Sequence, residues 1–148
     1  MQIKKCAIAA MLGTVLVVSG CKQDTIEKKY HPARLEETGE KGIMRVILEP
    51  KAVERIGLQT TQVVEQAVTV AGRTATRKVV PYGAIMYDTK GATWTFTNPE
   101  PLVFVRHKVV VENIEGDQVI LSEGPSTGTT IVTVGATELM GAEHKYGH

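Results

Sequence analysis

Cysteine is nearly absent from this chain: of 148 residues only Cys6 and Cys21 carry a thiol, too few for a disulfide framework. Aromatic side chains are scarce as well, with one Trp, two Phe and four Tyr, and they are not interleaved with arginine as in proteins that stack single-stranded bases. No charge of one sign predominates. Seventeen basic residues face sixteen acidic ones, for a net charge of +1, so there is no basic excess to neutralise a phosphate backbone, and nucleic acid is set aside as a partner. The longest apolar run, Ala7 to Val18, falls short of the roughly 20 residues a helix needs to cross a bilayer. No glycine-rich loop leads into a helix to cradle phosphate, and no nucleophile, base and orienting group can be assembled. The expectation is a protein that is not an enzyme and carries no cofactor.

What is present begins at the first residues. Lys4 and Lys5, the apolar run and the small Ser19 and Gly20 make the pattern of a secretory signal over residues 1–20. The tetrapeptide Val18-Ser19-Gly20-Cys21 resembles the lipobox of bacterial lipoproteins, in which Leu more often stands where Val18 does. That resemblance implies cleavage between Gly20 and Cys21 and acylation of Cys21, palmitate included. The chain would then be held on a membrane of the cell envelope, with its domain on the periplasmic or extracytoplasmic side. Cys6 is lost with the signal, and losing Lys4 and Lys5 leaves the mature chain close to neutral.

Residues 21–42 are rich in Lys, Glu, Asp and Arg and offer little apolar surface to offset ordering, so they are expected to be a flexible tether. The domain is expected over 43–143, with 144–148 as a frayed tail. Met44 to Leu48 has strand character. Pro50 and Gly57 bracket a short helix with Ala52, Val53 and Ile56 on one face, and Leu58 to Val70 reads as extended chain. Thr93 to Thr97 alternates, placing Trp94 and Phe96 on the core face, and Asn98 to Pro101 is expected to break that strand. The valine-rich run Leu102 to Glu112 suggests burial on both faces. With Gln118 to Leu121 and Thr129 to Val134, these short strands predict an all-β fold, a small β-barrel or roll with one short α-helix.

Several motifs invite chemistry. Gly124-Pro125-Ser126-Thr127-Gly128 has the spacing of a nucleophile elbow, but a strand pattern follows where that elbow needs a helix, so a β-turn loop is expected. His144 and His148 are four apart, as two metal ligands on a helix would be, yet Gly147 and the chain end favour a solvated tail. His31 and His107 lack recognisable partners. Met44, Met86 and Met140 are expected to fill core gaps. Glu36 and Glu37 read as a solvated charge run. No metal ligand is assigned.

Glu49 to Leu58, Val79 to Ile85 with Gly91 and Trp94, Phe104-Val105-Arg106, Gly116-Asp117 and Val132 to Glu143 together resemble, in their order, the periplasmic adaptor subunits (membrane fusion proteins) of RND-type efflux systems. The likeness is to the membrane-proximal module alone, since only Ala71 to Lys78 stands where a full adaptor inserts its lipoyl-like domain and helical hairpin. The loop at Gly124 to Gly128 also departs from the family's Gly-Leu-x-Pro-Gly turn. The resemblance implies docking on, or modulation of, a transporter complex, with an RND-type transporter or a full-length adaptor as partner. The competing expectation is a stand-alone surface lipoprotein that binds a small ligand or a metal.

Overall fold

The computed structural model describes residues 30–146; the signal expected over residues 1–20, the expected lipidation at Cys21 after Gly20, and His148 lie outside them. The chain order is β1 (Ala33–Glu37), β2 (Met44–Leu48), α1 (Pro50–Ile56), β3 (Gln59–Gln62), β4 (Val64–Val70), β5 (Arg73–Pro81), a 3-10 turn at Tyr82–Ala84, and β6 (Met86–Tyr87). Then follow β7 (Thr93–Glu100), β8 (Val103–Glu115), β9 (Gln118–Glu123), β10 (Thr130–Val134) and α2 (Ala136–Tyr146). This is the all-β fold expected, a small curled barrel. Its sheet runs β3-β10-β7-β8-β9-β5-β4, and every pairing is antiparallel. The two ends of that order, β3 and β4, are separated in the chain by Val63 alone. The sheet therefore curls back onto one extended segment, which pairs β10 before Val63 and β5 after it.

Two cores result. Val63, Val80, Val109, Val119, Leu121 and Ile131 come from around the barrel and pack together with Ala84 and Ile85 inside it. On the other side of the sheet, Val46, Leu48, Phe96, Phe104 and Val132 meet Ala52 of α1 and Ala136 and Leu139 of α2. β7 is the wall between them: Phe96 is fully buried in the second core, while Thr95 on its opposite face is 1% exposed. The strand buried on both faces is thus β7, and β8 is a correction, since His107, Lys108, Val110 and Glu112 are exposed. β8 spends its outer half pairing only β9, where one face meets solvent.

α1 forms as the sequence dictates. Pro50 stands in the first turn and Gly57 takes φ 67°, its N–H donating to the carbonyls of Glu54 and Val53. Three expectations are corrected. The flexible tether expected over 21–42 is overturned at Ala33–Glu37, which pairs with Leu48–Met44 and rests Ala33 and Leu35 on the second core. Its alternating pattern was concealed by the charges of Arg34, Glu36 and Glu37, which fall on exposed positions. The tail expected from residue 144 continues α2 to Tyr146, giving a second helix that Gly141 and a buried Glu143 had disguised. Asn98 to Glu100 remain in β7 through a register shift, and the chain turns at Leu102 with φ 65°.

Adjacent residues of β7 should respond to truncation with opposite sign. Phe96→Ala is expected to cost about 3–5 kcal/mol by opening a cavity. The Thr95 hydroxyl has no partner among the described residues. Thr95→Val should therefore add about 1 kcal/mol by removing an unpaired buried group. Urea denaturation of both variants measures this, and a loss of stability in Thr95→Val would refute the unpaired hydroxyl.

Candidate functional site

β4 and β5 form a hairpin whose far half leaves the barrel. Ala71 and Gly72 take φ 51° and 75°, the left-handed pair of a two-residue turn that matches strand twist. β5 pairs β9 only over Lys78–Pro81, so Arg73 to Arg77 has β4 for its single sheet partner. Exposure along β4 is nearly continuous, from Val64 at 44% through Ala67 and Thr69. The hairpin is stiffened on one face by a 2.7 Å hydrogen bond between the hydroxyls of Thr69 and Thr74.

On the opposite face Val68, Val70 and Ala75 floor an open groove of about 360 Å³, bordered by Arg73, Arg77 and Glu112. Arg77 reaches Glu112 of β8 through Nε at 2.6 Å and its second nitrogen at 3.5 Å. The hydrogen bonds and charge of Glu112 raise the Arg77 guanidinium above its ordinary value, so it is a permanent cation. Arg73 enters no ion pair among the described residues. The groove thus offers apolar surface beside one uncompensated positive charge.

A second cluster is built around Trp94. Arg106 of β8 lies with its guanidinium 4.3 Å from the indole ring centre, and its Nε is 3.1 Å from Oε2 of Glu143 on α2. The side chains of this ion pair are 10% and 4% exposed. Glu143 Oε1 accepts the Met44 N–H at 3.1 Å, and Arg106 donates to the Gly42 carbonyl at 2.7 Å. The indole N–H donates to Asp88 at 3.0 Å, while the other Asp88 oxygen accepts the N–H groups of Lys90 and Ala92. Charge, stacking and hydrogen bonds here join β2, β7, β8 and α2. Trp94 therefore sits at the rim of the second core rather than within it.

The residues singled out by sequence do not gather. Ser126 is exposed in a loop whose Thr129 N–H returns to the Ser126 carbonyl, and β10 follows it, as a turn requires. His144 contacts the Met140 carbonyl through Nδ1 at 2.8 Å. His31, ahead of β1, and His107 on β8 are exposed, and Glu36 pairs with Arg34 on the surface. Met86 belongs to the second core and Met140 packs against it, whereas Met44 is half-buried outside both cores. Among the described residues no three His, Cys, Asp or Glu side chains come together as metal ligands, and no helix is long and apolar enough to cross a membrane. The hairpin was missed because Leu58 to Val70 read as a single extended run. Ala71-Gly72 between two Val- and Thr-rich stretches was the signal. No family model matches the chain, and no curated protein matches it.

Two measurements probe the Trp94 cluster. Glu143→Ala strands a buried guanidinium and should cost about 3–5 kcal/mol in denaturant, whereas Arg106→Met with Glu143→Leu should lose much less. A double variant as unstable as the single one would count against the ion pair. Asp88 is held below the ordinary carboxylate value, first by the indole hydrogen bond and then by the Ala92 N–H. Its contribution is complete above about pH 4 and is lost as the pH falls through the lowered value. The fluorescence of Trp94, the one tryptophan of the chain, should follow that step, and Asp88→Asn should abolish it.

Proposed function

We propose that this chain is a membrane-anchored lipoprotein whose barrel docks on or modulates a transporter complex. The observation that carries the reading is the projecting hairpin, which presents an apolar groove and the free charge of Arg73 away from both cores. A stiff ribbon with open faces suits protein recognition, since ordering it costs little on binding. The occupant it fits is a protein surface that places an apolar side chain beside a carboxylate.

The ordered resemblance to adaptor subunits supports the same reading, and a small barrel with a short helix is compatible with it. Anchoring through Cys21 has a geometric consequence. From Cys21 to Tyr30 the chain spans at most about 30 Å, less than half the reach of a tether running to residue 42. The barrel would be confined close to the headgroups, at the depth where a membrane transporter presents its extracytoplasmic surface.

Cys21→Ala is expected to move the protein to the soluble fraction or to block its processing, because the acyl chains supply about 0.8 kcal/mol per buried CH₂. Retention on washed membranes after cleavage would overturn the anchor. With a photoreactive residue at Ala75, irradiation of intact cells should link the chain to an integral membrane transporter or its adaptor, and Arg73→Glu should weaken that adduct. A tight stoichiometric metal or small ligand on the purified protein, with no such adduct, would favour the stand-alone lipoprotein instead.

A further inference from the structure

The outer edge of β4 is the feature neither core nor groove accounts for. β4 pairs β5 on one side and nothing on the other among the described residues. The two-residue turn makes Val70 and Arg73 the closing hydrogen-bonded pair. By alternation the amide and carbonyl groups of Glu65, Ala67 and Thr69 point to the open side. A bare edge is ordinarily blunted by lysine, proline, a bulge or short length. β4 has none of these: it is seven residues, Val-Glu-Gln-Ala-Val-Thr-Val, and it matches β5 without a register shift. The free side of β1 is the informative contrast. Arg34, Glu36 and Glu37 stud it, whereas β4 carries the single charge of Glu65.

From this we infer that β4 is a self-association edge, pairing antiparallel with β4 of a second copy of this chain. The sequence is complementary to itself under a two-fold axis at Ala67. In that register Glu65 faces Thr69, Gln66 faces Val68 and Val64 faces Val70, the acidic groups stay apart, and the ladder ends at Val64 because Gly128 and Thr129 hold the same edge at Val63. Like charges directly opposite would oppose pairing, and here none meet. Val64, 44% exposed in one copy, gains the partner's Val70 as an apolar cover. The product is a four-stranded ribbon, β5-β4-β4-β5, that leaves the barrel cores untouched. A ribbon of this size is a modest interface, suited to a reversible dimer. Pairing at this edge is independent of the docking and anchoring readings, although confinement to a membrane would favour it by raising local concentration.

The test is disulfide trapping in the full-length chain within its own membranes. Ala67→Cys places two thiols across the axis at a hydrogen-bonded pair, where a small shift of the strands lets them bridge. Mild oxidation should convert it to a dimer of twice the chain mass, at least about tenfold faster than Asp117→Cys at the exposed β8–β9 turn. The unsubstituted chain reports any background from Cys6 and Cys21. Gln66→Cys co-expressed with Val68→Cys should also cross-link, fixing the register. If the Ala67→Cys variant dimerises no faster than the Asp117→Cys variant, the inference is overturned, as it is by an adduct whose mass shows another protein on this edge. Unchanged melting of Ala67→Cys establishes that the fold is intact in either case.

Discussion

The architecture depends on a change of partner at Val63. Before it the extended segment pairs β10, and after it the same segment pairs β5 on its other edge. Val63 holds the junction, its N–H on the Thr129 carbonyl at 3.0 Å and its carbonyl on the Gly128 N–H at 2.8 Å, with its side chain in the barrel. A segment that pairs on one edge at a time curls the sheet into a barrel and leaves the other edge bare. Barrel closure and the exposed β4 edge are therefore two results of the same constraint.

The second core is closed by a different device. α2 covers the sheet with Ala136 and Leu139, but towards its far end it buries the Glu143 carboxylate. Arg106 balances that charge, is stacked on Trp94, and also secures the chain at Gly42. A buried pair of this kind adds little net stability and specifies a position. Here it ties α2 to β8 and, through the Met44 N–H, to β2.

Much of this was legible in the residues. The strands at Met44 to Leu48 and Thr130 to Val134 announced themselves by β-branched content, and Pro50 with Gly57 bracketed α1. β1 was not legible because composition outweighed a two-residue period: Ala33 and Leu35 are modest apolar positions among charges. α2 escaped because the charged residue of its buried face breaks the apolar stripe that marks a helix. Burial on both faces was assigned to the valines of β8, whereas β7 achieves it with Thr95 opposite Phe96, a polar residue no periodicity would place inside. Arg106 and Glu143 meet only because α2 packs over the sheet, which their spacing does not reveal. The groove likewise needs Glu112, which comes from another strand.

Both cores wait on β10 and α2. Ile131 fills the barrel, its neighbour Val132 fills the other core, and Ala136, Leu139 and Glu143 complete the lid. β3 meets β10 about 70 residues further along the chain, whereas β4 meets β5 across a two-residue turn. The local hairpin can form early, but ring closure must bear a long loop entropy before any contact rewards it. The hairpin can therefore precede the rest, but neither core is filled until β10 and α2 are in place, so barrel and lid settle together in one late step.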